Sequence, residues 1–188
     1  MEKANEATLV QLQAQLEALQ KKVTKLEKAR KDQLSMAIVS GDMDKILAAM
    51  IISLAAAAMD TKVKLFFSFW ALSALRDPKK PAKGKDFMST MFGVMLPKGN
   101  DKLKLSNLNM AGMGPMMIKG IMKKKNVLSL QEMFKQAGEL GIEITICEMS
   151  MDLMGFKKEE FIDYPGLRYA GAATFVADAG ESAVQLFI

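Results

Sequence analysis

The stretch of sequence that decides the fold is LSMAIVSGD, residues 34–42. It begins with a short apolar run, Leu34 to Val39, and ends with Ser40-Gly41-Asp42, a set of turn residues. This pattern predicts a buried strand that enters a tight turn. Asp42 can cap a following helix over Lys45 to Met59, which is apolar on nearly every side and is therefore expected to be covered. A second strand is predicted over Val63 to Phe69, and this strand–helix–strand order is the opening of a doubly wound α/β fold.

The remaining elements follow from the same signals. An amphipathic helix is predicted over Ser129 to Leu140, because Ser129 and Glu132 have the spacing of a capping box and Gly141 marks the helix end. Further helices are predicted over Phe87–Leu96, Ala111–Met122, Lys157–Ile162 and Asp178–Ala183, a turn or short helix over Met149–Met154, and strands over Ile142–Ile146, Tyr169–Val176 and Val184–Ile188.

The first thirty residues form a separate unit in the sequence. Apolar residues recur there with spacings of 3 and 4, the a/d pattern of a coiled coil: Leu9, Leu12, Leu16, Leu19, Val23 and Leu26. About three heptads make a marginal helix in isolation, so a partner is expected. We predict a coiled-coil helix over residues 1–32 and an α/β domain over residues 33–188; the alternative is a helix that lies on its own domain.

The composition excludes several classes of chemistry. The chain of 188 residues has no histidine and one cysteine, Cys147. An intramolecular disulfide, an ordinary structural zinc site and histidine-dependent nucleophilic catalysis are therefore excluded. The net charge of +5 favours anionic partners only weakly. The lysine cluster Lys123–Lys125 lacks interleaved aromatic residues, so we expect no nucleic-acid partner.

No targeting or membrane-spanning segment is expected. The N-terminus is polar and lacks the pattern of a secretory signal. The longest apolar stretch, Ile46 to Met59, has 14 residues, whereas a bilayer-spanning helix needs about 20. We therefore predict a cytoplasmic protein.

Cys147 is the residue best placed for chemistry. It directly follows the predicted strand Ile142–Ile146 and precedes a turn or helix start. Ligands in open α/β sheets bind outside the carboxyl ends of the strands, the same edge at which Ser40 and Gly41 are expected. Free N–H groups at a helix start favour a thiolate there. A lone cysteine is also common as a small buried hydrophobic residue, so position alone leaves both interpretations open.

The sequence CEMSMDLMG, residues 147–155, resembles the signature of the DsrE/DsrF-like sulfur-transfer family, in the branch sometimes called peroxiredoxin-like. The similarity extends over roughly residues 34–188. The segments that carry it outside the signature are Ser40–Lys45, Phe66–Trp70, Met95–Gly99, Met110–Met117 and Leu186–Ile188.

This resemblance implies a flavodoxin-like three-layer α/β/α fold with a mainly parallel sheet, oligomerisation, and persulfide chemistry on Cys147. The expected partners are protein thiols that donate or accept sulfur, and the expected assembly is a dimer, a trimer or a hexamer. No cofactor and no metal are expected. The candidate substrate-binding residues are Ser40, Gly41, Glu148, Met149, Ser150, Met151 and Asp152.

Two features qualify this hypothesis. Glu148 replaces the uncharged residue expected after the cysteine, and a carboxylate directed at the thiol would disfavour the thiolate. A second cysteine, present in some members of the branch, is absent, so no internal thiol can resolve a persulfide. The sequence does not distinguish a catalytic sulfurtransferase from a stoichiometric carrier.

The methionines suggest two alternative functions. Met149, Met151 and Met154 with Cys147 form a set of soft donors that could bind Cu(I), although methionines on helices usually pack. The segment Met110–Met117 could form part of the core, an apolar lid, or a docking site on a non-enzymatic oligomeric module, with a peripheral membrane protein as partner.

Overall fold

The computed structural model describes residues 11–13, 15–24, 32–80 and 87–188, without the side chains of residues 87 and 88. The chain divides into two compact units, Met1–Lys31 and Asp32–Ile188.

The first unit contains helix α1, over residues 11–13 and 15–24. The heptad residues that fall within it, Leu12, Leu16, Leu19 and Val23, are 50–61% exposed. Leu9 and Leu26 lie outside the described residues. The coiled coil therefore stays a prediction.

The second unit contains a five-stranded sheet in the order β4-β3-β2-β1-β5. All four pairings are parallel. The strands are β1 (Gln33–Ile38), β2 (Lys62–Phe67), β3 (Glu143–Cys147), β4 (Leu167–Ala170) and β5 (Val184–Phe187). Phe67 lies opposite both Ile38 and Ile146, so the carboxyl ends of β1, β2 and β3 are level at one edge.

The helices of this unit are α2 (Met43–Ala58), α3 (Phe87–Met95), α4 (Met113–Lys124), α5 (Leu130–Glu139), α6 (Glu148–Leu153) and α7 (Ala172–Gly180). Short 3₁₀ segments cover Phe69–Leu75, Asn100–Lys102, Met110–Gly112 and Lys158–Glu160. The predicted capping box is confirmed: the Ser129 hydroxyl accepts from the Glu132 N–H, and the Glu132 carboxylate accepts from the Ser129 N–H. Among the described helices, none is long and apolar enough to cross a membrane.

Two adjacent phenylalanines show the three layers. Side chains alternate between the faces of a strand; the Phe67 ring lies 6.2 Å from Phe134 on α5, and the Phe66 ring lies 5.6 Å from Phe175 on α7. Helix α5 therefore covers one face of the sheet together with α2, and α7 covers the other. The predicted three-layer α/β/α fold is confirmed.

Several predicted elements near the C-terminus are wrong. The strand predicted over Tyr169–Val176 ends at Ala170, and α7 occupies the rest of that stretch from Ala172 onward. Of the predicted helix Asp178–Ala183, only the first half belongs to α7, which ends at Gly180. Gly171 interrupts the extended run, and the sequence Ala-Ala-Thr-Phe-Val-Ala that follows is compatible with a helix. The predicted helix Lys157–Ile162 is a single 3₁₀ turn, Lys158–Glu160.

Candidate functional site

Cys147 is the last residue of β3 and the residue that immediately precedes α6. Its side chain is 1% exposed, and its thiol makes no capping hydrogen bond to the helix. The residue beside it in the neighbouring strand is Ala170, which also ends its strand. The thiol therefore lies at the carboxyl edge of the sheet, as predicted, but beneath the surface of this edge.

A pair of buried hydroxyls joins the end of β2 to α6, the helix that follows Cys147. Ser68 follows the last residue of β2, and Ser150 lies in the first turn of α6. Their Oγ atoms are 2.8 Å apart, and the two residues are 7% and 0% exposed. This hydrogen bond fixes α6 to the end of β2 and thereby sets the position of the backbone that follows Cys147.

The carboxylate of Glu148 forms an ion pair at the surface. Its Oε1 lies 3.2 Å from Lys158 Nζ, and both side chains are about half exposed, 44% and 53%. The same ammonium lies 4.7 Å from the centre of the Tyr169 ring. Burial is the main cause that raises the pKa of Tyr169, and the Glu159 and Asp163 carboxylates add to it. Glu148 is therefore engaged with a cation instead of standing as a bare charge beside the thiol.

The methionines of the signature separate into two environments. Met151 and Met154 are 6% and 4% exposed and belong to the hydrophobic core, whereas Met149 is 56% exposed. Asp152 is exposed as well. This separation of surface and core sulfurs does not favour one soft-metal site built from these residues.

The Ser40-Gly41 turn lies at the same edge but beyond β2, which stands between β1 and β3. Strands are spaced about 4.8 Å apart, so β1 lies about 10 Å from β3. The Ser40 hydroxyl is used locally, since it donates to Asp42 Oδ2 at 3.0 Å and accepts from the Asp42 N–H at 3.2 Å. A Cβ at Gly41 would stand 2.5 Å from the Trp70 carbonyl oxygen. The structure therefore gives these two residues a turn-forming role and does not bring them to Cys147.

Comparisons with known proteins agree with this geometry. Residues 30–187 match the model of the DsrE/DsrF/DrsH-like family. The chain belongs to this family. It is 36% identical over 163 residues to the sulfur carrier protein DsrE2 of Allochromatium vinosum, covering 84% of this chain and 99% of that protein. It is also 46% identical over 154 residues to the uncharacterized protein YrkE of Bacillus subtilis, covering 82% of this chain and 95% of that protein.

Among solved structures, the chain is similar to the YchN protein of E. coli, with 12% sequence identity and a TM-score of 0.47. That similarity covers 83% of this chain and 99% of YchN.

A buried ion pair of this DsrE-like chain packs against the turn that follows α6. Arg76 and Glu160 are 1% and 0% exposed, and Arg76 Nη2 lies 3.3 Å from Glu160 Oε2. The guanidinium also donates to the carbonyl oxygens of Gly93 and Leu96 at the end of α3, at 3.0 and 3.4 Å. Its Cζ lies 4.5 Å from the centre of the Phe156 ring.

This ion pair joins three segments. Backbone hydrogen bonds connect the Asp77 N–H to the Glu160 carbonyl at 2.8 Å and the Ile162 N–H to the Leu75 carbonyl at 2.9 Å. A side chain at Gly155 would overlap Ser89 of α3. The segment after β2, the helix α3 and the turn after α6 are therefore packed as one body around Arg76.

Sequence analysis missed three of these contributors: Ser68, Lys158 and Arg76. Ser68 was placed inside a strand predicted to continue to Phe69, whereas the strand ends at Phe67. The signal that could have identified Ser68 is its position as a polar residue directly after the apolar run of β2. The pairing of Lys158 with Glu148 and that of Arg76 with Glu160 join residues distant in sequence, for which the sequence holds no local signal.

Proposed function

We propose that the chain is a sulfur carrier of the DsrE/DsrF/DrsH-like family that holds sulfane sulfur as a persulfide on Cys147. The proposal rests on one observation: the only cysteine of the chain lies at the carboxyl end of β3. In open α/β sheets, ligands bind at this edge. The family relationship supports a role in sulfur relay, and the relative DsrE2 bears the name of a sulfur carrier.

The proposed chemistry is an exchange at sulfur that needs no external oxidant. The Cys147 thiolate attacks the terminal sulfur of a donor persulfide, R–S–SH; the donor S–S bond breaks, and the donor leaves as a thiolate. Cys147 then carries the S–SH group. An acceptor thiolate attacks that terminal sulfur, the new S–S bond breaks, and Cys147 is released as a thiolate. Because the chain has no second cysteine, the acceptor thiol belongs to another molecule.

The structure adds a requirement to this exchange. A thiol that is 1% exposed offers a partner no path for attack, so the edge around α6 must open when a donor or acceptor docks. Helix α6 has six residues, and its outer side carries Met149 and Leu153, which are 56% and 64% exposed. A short helix with an apolar outer side is a suitable contact for the docking protein.

We also propose that the carrier acts as a homo-oligomer, a dimer, trimer or hexamer, with the heptad stripe of α1 as one contact between copies. Exposed apolar positions at this spacing are those that pair in coiled coils.

Mass spectrometry of the intact protein tests the function directly. After incubation with a protein persulfide donor, we expect a mass increase of one sulfur atom, and peptide mapping should place it on Cys147. The adduct should disappear on reduction and on incubation with an acceptor thiol. The Cys147→Ser protein is the matched control, since serine is nearly the same size and cannot form a persulfide. An unmodified wild type, or equal modification of the serine variant, would remove the proposal.

A further inference from the structure

An apolar surface lies on and just before α4. It is formed by side chains that are each more than half exposed: Leu108, Met110, Met113, Met116, Met117 and Ile121. Leu108 and Met110 adopt positive φ, at 54° and 44°, a conformation that costs free energy in residues other than glycine. We call residues 108–121 the methionine surface. Exposed apolar patches of this kind mark interaction sites.

Helix α4 is anchored to the domain by its other side. Gly114 and Pro115 are buried, and Ile118 and Met122 are partly buried against the core. The helix has 12 residues and is therefore about 18 Å long. Because this side of the helix packs on the core, the exposed methionines lie on the opposite side along most of that length.

The positive charge of the chain is concentrated in the sequence that includes and flanks this surface. Residues 98–125 contain seven lysines and one aspartate. The net charge of this stretch is thus +6, compared with +5 for the whole chain, so the remaining residues sum to −1. Lys102, Lys104, Lys119 and Met116 line one open depression of about 710 Å³. Lysine and methionine side chains are therefore neighbours on the same surface.

We propose that α4 and the segment before it lie on the surface of an anionic lipid bilayer. Helices that lie in the membrane interface combine an apolar side with lysines that reach anionic headgroups. Lysine is depleted in the cores of protein–protein interfaces, so the lysines that line the depression beside Met116 favour headgroup phosphates over a protein partner. The helix would insert its methionines between the acyl chains, lie parallel to the bilayer and not span it.

Sedimentation of the full-length protein with phospholipid vesicles tests this inference. We expect the protein to pellet with vesicles of phosphatidylcholine and phosphatidylglycerol in equal parts, and to remain in the supernatant with pure phosphatidylcholine. Met117→Glu/Ile121→Glu should abolish pelleting. The triple substitution Lys123→Gln/Lys124→Gln/Lys125→Gln should lower the partition coefficient by on the order of a hundred-fold, since each lysine contributes about five-fold. High salt should weaken binding of the wild type.

Matched controls separate the surface from general effects. Val176→Glu changes an equally apolar residue on α7, 67% exposed, and Lys135→Gln removes a lysine from α5, 79% exposed. Both should bind vesicles as the wild type does, and so should Cys147→Ser, because the surface does not depend on the thiol. Circular dichroism should confirm that each variant is folded.

Three results would overturn the proposal. The first is a wild type that stays in the supernatant with the anionic vesicles. The second is equal pelleting with pure phosphatidylcholine. The third is an oligomer that dissociates in the Met117→Glu/Ile121→Glu variant in the absence of lipid, which would assign the methionine surface to a second copy of the chain.

Discussion

Replacement of Arg76 by methionine should destabilise the protein strongly. Arg76→Met keeps an unbranched side chain of similar reach but removes the guanidinium, which is 1% exposed and pairs with Glu160 at 3.3 Å. The hydrogen bonds to the carbonyl oxygens of Gly93 and Leu96 are lost at the same time. Glu160 keeps the hydrogen bond that its Oε1 accepts from the Lys157 N–H, but it loses the buried ion pair with Arg76.

The magnitude follows from the burial of the pair. Removal of one partner of a buried ion pair costs about 3–5 kcal/mol, because the remaining charge stays desolvated. Domains have a free energy of unfolding of about 5–15 kcal/mol, so this is a large share of the total. For a domain of this size, about 1 kcal/mol corresponds to about 2–4 °C in Tm, and the expected loss is therefore roughly 6–20 °C.

Urea unfolding followed by circular dichroism measures the effect. The midpoint should fall at an unchanged m-value, which indicates a loss of stability without a change in the surface exposed on unfolding.

The double variant Arg76→Met/Glu160→Gln is the control, because it removes both charges. It should be more stable than Arg76→Met alone. A single-variant deficit below about 1 kcal/mol, which is the range of surface pairs, or one that equals that of the double variant, would refute the role assigned to this ion pair.

Two further predictions concern the turn and the helix cap. Gly41→Ala should lower the free energy of unfolding by about 1–3 kcal/mol, as overpacking does, because a Cβ would stand 2.5 Å from the Trp70 carbonyl oxygen. Gly171→Ala is the control and should leave the stability unchanged, since a Cβ there meets nothing within 4 Å. Equal losses of stability in the two variants would contradict this explanation. Ser129→Ala should cost about 1 kcal/mol near neutral pH. The Ser129 hydroxyl and N–H hold the pKa of Glu132 below its ordinary value. The stability that this interaction contributes is complete above the unfolded-state pKa and is lost as pH falls through the folded-state pKa. The loss of stability in the variant should therefore shrink in acid, and a loss that does not change with pH would argue against the cap.

Local patterns determined which elements could be predicted from sequence. The apolar run at Leu34, the turn at Ser40-Gly41 and the capping box at Ser129 are short-range signals, and each element that they announce is present. The position of Cys147 at a strand end was predictable for the same reason. The strand predicted to continue beyond Ala170 shows the limit, because Tyr169, Thr174 and Val176 have strand propensity that the position of α7 over the sheet overrides.

The contacts that support the site could be identified only from the folded structure. Ser68 and Ser150 are 82 residues apart, and Arg76 and Glu160 are 84 residues apart. Parallel strands bring such residues together only through their crossover connections. The burial of Cys147 was likewise hidden, because the same sequence is compatible with an exposed or a covered thiol at a strand end.

This burial makes the reactivity of Cys147 a measure of how often the edge of the sheet opens. A reagent in solution reacts at its intrinsic rate multiplied by the open fraction, and each 1.4 kcal/mol of opening free energy lowers that fraction about ten-fold. Small thiols and oxidants in solution therefore meet a thiol that is rarely available. In the proposed function, a donor or acceptor protein that holds the edge open with its own binding energy would meet it far more often. The cover over Cys147 would then select between reactants by docking and not by the chemistry of sulfur.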